Sequence, residues 1–285
     1  MNIAFLASGN LGFKTISNLL KKYSPAFIGT DSNSKDIIHL ASQYQIKLFI
    51  GNPRNGRLLK FMKETNIDVL FSINYLFLLE SDVINSVNHA LNLHGSLLPK
   101  YRGRTPHVWA IINNEKITGV TAHYIDEGCD TGDVVFQKQI KISRKATGAD
   151  LLKEFEYLYP TIVEDVLSAL EHKTLKRKKQ MDSEATCFGK RTPEDGRIDW
   201  NWQKERIYNW VRAQAYPYPG AFTYYNGDKI IIDKIEYSSK GYSQTDPNGL
   251  ILKKNPVIVK TANGAIELKS LRNSDLNLIP GKTLE

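Results

Sequence analysis

The first hundred residues alternate short apolar runs with amphipathic stretches, and this alternation limits the fold more than any other feature. Residues 2–8, 25–30, 46–50, 69–75 and 90–97 are apolar and of strand length. Between them, residues 11–22, 37–44 and 58–65 carry helical spacing, with Leu11, Ile16, Leu19 and Leu20 close to one stripe. A strand–helix–strand repeat returns the chain to the same edge of a sheet, so its strands pair in parallel. The expectation is an α/β domain: a mostly parallel sheet, helices on both faces, right-handed crossovers.

The pattern then changes. Residues 119–125 and 134–142 read as two longer strands around an acidic turn. Residues 147–171 read as one long helix, with Thr147 as N-cap and Asp150 three positions on to close a capping box. Pro160 is expected to kink that helix or break it in two. Residues 205–215 fit a short helix, and YPYPGAF (216–222) a rigid turn. Asn226-Gly227 and Asn263-Gly264 then sit between strand-like runs as hairpin turns. This gives an α/β domain over 1–180, a linker over 181–203 and a small all-β, OB-like hairpin module over 204–285.

Composition narrows the class. With 41% hydrophobic and 24% charged residues among 285, the chain is neither disordered nor fibrous. No window approaches 18 successive apolar residues, so no membrane span is expected. The N-terminal run lacks a basic flank and leads into a helix, which reads as a first strand rather than a signal peptide. Two cysteines, Cys129 and Cys187, are too few for a disulfide framework or a structural zinc site, and a cytoplasmic location is expected. The formal charge of +8 favours anionic partners. The densest basic tract, residues 172–179, has no interleaved aromatic residue for base stacking and reads as a solvated helix end.

Three stretches could carry chemistry. SGNLG (residues 8–12) follows a strand and opens a helix as phosphate loops do, but it lacks the third glycine of a dinucleotide fingerprint, and a tight turn explains it. Within LNLHGSLLPKYRGRTPHVWAI (91–111), Asn92 and His94 lie two apart on a strand and so share a face. Histidine exchanges protons near neutral pH, and an asparagine amide can donate to a developing oxyanion. Spacing alone also fits two polar groups that merely end a strand. IDEGCDTGDVV (125–135) holds Asp126, Glu127, Asp130 and Asp133; an acidic solvated turn is the plain reading, and a calcium loop lacks its closing glutamate. An acid beside His94 would orient it and raise its pKa.

Taken together, Asn-x-His, SLLPKYRG and the loop ending in Asp-Thr-Gly resemble the signature of the 10-formyltetrahydrofolate-dependent formyltransferases. ATCFGKRTPEDGRIDW (185–200) and VRAQAYPYPGAF (211–222) match later segments of the same family, so the likeness runs to about residue 225. It is nearest to the members that act on nucleotide-linked amino sugars, including the formyltransferase domain of the polymyxin-resistance enzyme. The resemblance implies a Rossmann-like catalytic domain. It implies His94 as general base or acid, Asn92 as oxyanion donor, and Asp130 raising the pKa of His94 and relaying protons. It implies folate against Phe77, Leu78 and Leu79, against Arg104, and along Asp126, Glu127, Gly128, Cys129 and Asp130. Ser96, Lys100, Tyr101, His107 and Trp109 would face the sugar nucleotide, although His107 and Trp109 also suit a helix start with a packed ring. No metal is implied.

The implied reaction is formyl transfer to a sugar amine for cell-surface glycan synthesis (lipopolysaccharide, O-antigen), with dTDP-4-amino-4,6-dideoxyglucose as first acceptor. A UDP-linked 4-amino-arabinose and a dTDP-linked 3-amino sugar are the alternatives. Methionyl-tRNA formyltransferase shares the three residues, but its relatives carry a long basic insertion after the second strand, where residues 31–44 here are short and hold one lysine. A catalytically silent nucleotide-binding module is the reading from another class. Such enzymes are often dimers, and a homodimer is expected.

Overall fold

The computed structural model describes residues 1–272 and 277–285. β1 (Ile3–Ala7), β2 (Phe27–Thr30), β3 (Leu48–Ile50), β4 (Val69–Ile73) and β5 (His89–His94) are linked by α1 (Gly9–Leu19), α2 (Lys35–Gln43), α3 (Arg57–Met62) and α4 (Ser81–Asn85). These five strands pair in parallel, as the alternation requires. After them come β6 (Arg102–Gly103), α5 (Pro106–Ile112), β7 (Ile117–Tyr124), β8 (Val134–Lys141), α6 (Gly148–Glu171) and β9 (Cys187–Phe188). The main sheet has the order β3-β2-β1-β4-β5-β7-β8, and β7 runs antiparallel to β5. β1 and β4, at its centre, are buried at every residue. On one flank, Leu58 and Met62 of α3 and Val83 of α4 pack on Phe27, Leu70 and Leu6. Each such side chain contributes about 1.5–3 kcal/mol of transfer free energy.

α7 (Lys204–Ala213) precedes the C-terminal strands: β10 (Ala221–Tyr225), β11 (Asp228–Ser238), β12 (Ile251–Lys253), β13 (Ile258–Thr261) and β14 (Gly264–Leu271). They form an antiparallel sheet ordered β10-β11-β14-β13-β12, the expected all-β module. Its core gathers Ile207, Trp210 and Val211 of α7 with Ile230, Ile232 and Ile266. Ile198 and Trp200, from the stretch expected as a linker, are buried there too, as is Leu284. Two compact units result: Met1–Pro106, Ile117–Ile140 and Leu152–Phe188 form one, and His107–Lys116, Lys141–Leu151 and Gly189–Glu285 the other.

Two local expectations need correction. α6 runs through Pro160 without a break. The ring removes one helical bond and crowds the carbonyl of Glu156, a penalty of about 3 kcal/mol. Phe155, Tyr159, Ile162 and Val163 are all buried on either side of it, and four such burials outweigh that penalty. The second hairpin turn is also displaced: Thr261 pairs with Gly264, so Ala262 and Asn263 make the turn and Gly264 begins β14. The first turn is as expected, with Asn226 and Gly227 at φ values of 51° and 86° between paired Tyr225 and Asp228. The capping box of α6 is present: the Thr147 amide donates to Asp150 Oδ2 at 2.9 Å, and the Asp150 amide to Thr147 Oγ1 at 3.2 Å.

Candidate active site

In parallel register Ile73 of β4 lies opposite Leu93 of β5, so the loops that follow both strands leave the same sheet edge. This carboxyl edge is where open α/β sheets bind ligands. Asn92 and His94 share one face of β5. The antiparallel partner β7 places His123 opposite Asn92 and Thr121 opposite His94. Directly opposed residues lie side by side on one face, so His123 joins the pair.

Asp130 arrives from the loop between β7 and β8, in a left-handed backbone conformation at φ 57°. Three contacts fix it. The Gly103 amide donates to its Oδ2 at 2.9 Å. Gln180 Nε2 donates to the carbonyls of Asp130 at 2.9 Å and of Gly132 at 2.7 Å. Gln180 is itself held by the buried Arg102, whose Nη2 donates to Gln180 Oε1 at 2.9 Å. Asp130 Oδ1 consequently lies 3.4 Å from His94 Nδ1, 3.4 Å from Asn92 Nδ2 and 3.5 Å from His123 Nε2.

The hydrogen-bond network assigns the tautomers. His94 Nε2 lies 2.7 Å from the carbonyl oxygen of Tyr101, so it carries the proton and donates. The Nδ1 lone pair then faces the Asp130 side. His123 Nδ1 donates to the Tyr124 carbonyl at 2.7 Å, leaving its Nε2 to accept from Asn92 Nδ2 at 3.1 Å. One amide hydrogen of Asn92 is used in this way. The other meets only the long contact to Asp130 and is available to a better acceptor.

Charge and burial compete at both titrating groups. Burial lowers the pKa of His94. Asp130 and the Tyr101 carbonyl raise it, His123 lowers it, and the outcome is below the usual 6.5. The expected upward pull of Asp130 is therefore present, but desolvation of a ring only 6% exposed exceeds it. For Asp130, burial pushes the carboxyl up, yet the His123 and His94 rings, at the low pH where they carry an added proton, and the Gly103 amide together hold it well below the ordinary carboxylate range. At neutral pH the site pairs a neutral imidazole with an ionised carboxylate. That arrangement can accept a proton and stabilise the cation that results.

The remaining expected residues divide. Leu78 is exposed and Phe77 and Leu79 are half-buried, on the loop after β4. Among the described residues their backbone groups make no hydrogen bond. Arg104 is exposed, with its amide on the Phe188 carbonyl at 3.1 Å. Asp126 is engaged in its own turn, accepting from the Gly128 amide at 3.2 Å and from Thr131 Oγ1 at 2.6 Å. Glu127, Gly128, Cys129 and Lys100 are exposed. Ser96 is fully buried, and its hydroxyl locks the following turn by donating to the Lys100 carbonyl at 2.7 Å. The Tyr101 ring stacks on Phe188 with centroids 4.9 Å apart, and its carbonyl accepts from His94 Nε2. His107 and Trp109 belong to the second unit. There His107 Nε2 lies 2.5 Å from the Tyr218 hydroxyl, and Trp109 Nε1 donates to the Gly189 carbonyl at 3.3 Å. Sequence reasoning did not find His123, Gln180 or Arg102. Only the β5–β7 register signals the first, and nothing local signals the others.

Among the described residues no group of three His, Cys, Asp or Glu is arranged to hold a metal ion, and no helix is long and apolar enough to cross a membrane.

Comparison with known proteins gives concordant matches. Residues 21–167 match the formyl transferase family, and residues 190–284 match the formyl transferase C-terminal domain. The bifunctional polymyxin resistance protein ArnA of Wigglesworthia glossinidia brevipalpis is 32% identical over 296 residues, spanning all of this chain but 45% of that protein. The chain thus spans a little under half the length of that curated relative. Among solved structures, WlaRD, a sugar 3N-formyl transferase crystallised in the presence of dTDP and 5-N-formyl-THF, superposes with a TM-score of 0.70 at 22% identity, over 96% of this chain and 98% of that one. An N-formyltransferase from Helicobacter canadensis, in complex with folinic acid and dTDP-3-aminofucose, gives 0.67 at 22% identity, over 94% and 99%. At that identity these two share the fold.

Proposed function

This chain belongs to the formyl transferase family, and from that premise we propose that it moves a formyl group from 10-formyltetrahydrofolate to the amine of a nucleotide-linked amino sugar. One observation carries the proposal: Asn92, His94 and His123 converge within 3.5 Å of a single oxygen of Asp130. The loop of residues 77–79 suits a folate ring. It offers apolar surface at Leu78, 62% exposed, and backbone groups with no partner among the described residues. Arg104 and the exposed turn from Asp126 to Asp130 supply the remaining contacts.

Bound 10-formyltetrahydrofolate supplies the carbon that the amine attacks. His94 Nδ1 takes the proton the amine releases as its nitrogen bonds to that carbon. The free amide hydrogen of Asn92 donates to the formyl oxygen as negative charge develops there, a contribution of about 100- to 1,000-fold in rate. Asp130 stabilises the imidazolium, and His94 returns the proton to the departing nitrogen. His123 positions the Asn92 amide and adds to the polar surround of Asp130.

For the acceptor we propose a dTDP-linked 4-amino-4,6-dideoxyglucose, with formylation serving cell-surface glycan synthesis in the cytoplasm by a homodimer. The 3-amino alternative is favoured by the described ligands of the two similar structures, dTDP and dTDP-3-aminofucose. A UDP-linked 4-amino-arabinose is favoured by the polymyxin-resistance relative. Lys100, exposed in the loop after β5, suits a diphosphate.

The test is turnover with 10-formyltetrahydrofolate and a panel of dTDP- and UDP-amino sugars, with Met-tRNA alongside, scored by the mass gain of one formyl group. Product on a single amino-sugar nucleotide is expected. Product on Met-tRNA alone would overturn the acceptor, and no product on any acceptor would move the silent binding module to the front.

A further inference from the structure

A cleft of the second unit has a volume of about 970 Å³ and is lined by the turn after α5, residues 142–147, one face of α7 and the middle of β11. None of the residues assigned to formyl transfer lines it. Five cations and four carboxylates do. Glu205 accepts from Asn263 Nδ2 at 2.9 Å and lies 4.0 Å from Lys204. Asp233 accepts from Arg272 Nε and Nη2, both at 2.7 Å, and Glu236 lies 3.7 Å from Lys269. Arg144, Lys145 and Lys234 form no ion pair among the described residues, which leaves the cleft electropositive.

Its floor is a buried arginine. Arg212 is 7% exposed, and its contacts are neutral: Nε donates to Asn209 Oδ1 at 2.9 Å, and Nη1 donates to the carbonyls of Ser143 and Ala146. No carboxylate faces it among the described residues, and burial lowers its pKa. A buried charge is ordinarily paired. Arg212 lines the cleft, and its Nη2 has no acceptor among the described residues. Above it, the rings of Tyr208 and Tyr237 stand 5.1 Å apart at 38°, and Tyr237 is 51% exposed. The Arg212 guanidinium stands 5.9 Å from the centre of the Tyr208 ring, and Arg144 lines the same cleft.

We propose that this cleft is a binding site for a nucleoside diphosphate: the diphosphate on Arg212 and Arg144, the base against Tyr237 and Tyr208. Two separated guanidinium groups exceed what one carboxylate needs, whereas a diphosphate offers an acceptor to each. The volume suits a nucleotide. The aromatic wall has no purpose for inorganic phosphate, but a base stacks on it. The site goes beyond the formyl-transfer reading and requires none of its residues.

Replacing Arg212 would also release residues 143–146, so the test uses the exposed side chains. Calorimetric titration of the full chain with UDP and with dTDP is compared with that of the Arg144→Gln/Tyr237→Ala double variant, with inorganic pyrophosphate as a further probe. The proposal expects a nucleotide-binding event that the double variant weakens at least about tenfold, and weaker binding of pyrophosphate than of either nucleotide. Unchanged nucleotide affinity in the double variant, or no nucleotide binding by the parent chain, would overturn it. Formyl transfer measured on the same two proteins separates the claims. Turnover without any response of binding to the double variant removes the cleft site and leaves the proposed reaction standing.

Discussion

Burial and charge pull His94 in opposite directions, and the direction of the outcome sets its chemistry. Its pKa lies below 6.5 in the folded chain, so the unfolded chain binds a proton more readily below that value. Two consequences have definite signs. The stability tied to His94 is intact above pH 6.5 and falls as the pH drops beneath it. Activity that needs the neutral ring should form a plateau at neutral pH and decline on an acid limb centred below 6.5. Asp130→Asn removes the charge that favours the imidazolium, so the limb should move to still lower pH while kcat drops. A pH profile of kcat/KM checks both, and a limb that stays in place would contradict the assigned electrostatics. At this scale the sequence was informative where chemistry and spacing coincide. Asn92 and His94 share a face by strand periodicity alone. His123 escaped notice because a histidine inside an apolar strand has no meaning until the strand opposite it is known. The parts that Ser96 and Tyr101 play in the turn after β5, one through its hydroxyl and the other through its carbonyl, were not legible, because a residue type does not reveal which of its groups faces a neighbour.

The loop that carries Asp130 is the element on which the site depends most. Gly103 and Gln180 pin it at Asp130 and Gly132, and Gly132 lets it approach β7. A Cβ on Gly132 would lie 2.0 Å from the Tyr124 carbonyl oxygen, a backbone atom that cannot swing aside. Gly132→Ala should therefore displace the loop, lowering kcat at least about tenfold while thermal unfolding still shows one folded protein. A variant with unchanged kcat would show that Asp130 does not depend on this anchoring. Elements were legible where local signals agree. The five parallel strands, the capping box at Thr147 and the Asn226-Gly227 turn follow from periodicity, caps and left-handed residues. Pro160 and Asn263-Gly264 were misjudged because tertiary packing decides both. Buried neighbours hold α6 together across the proline, and the pairing of Thr261 with Gly264 fixes a register that a turn dipeptide only suggests.

For the whole molecule, a net charge of +8 announces an anionic partner without choosing one. The fold class could be read from alternation because α/β topology is written in contiguous segments. The cleft of the second unit could not, because Arg144, Tyr208 and Tyr237 come from three separate elements and no single stretch signals their meeting. Residues 181–203 illustrate the same limit: polar and turn-rich in sequence, they contribute β9 and two buried core residues, Ile198 and Trp200. The central claim is that one imidazole, held by Tyr101 and Asp130, moves the proton in formyl transfer. The measurement that tests it most directly is the turnover of His94→Gln, beside the parent chain, on the amino-sugar nucleotide that the parent formylates. The account predicts a loss of about 100- to 10,000-fold in kcat with the fold intact. Equal turnover by the two proteins would contradict it.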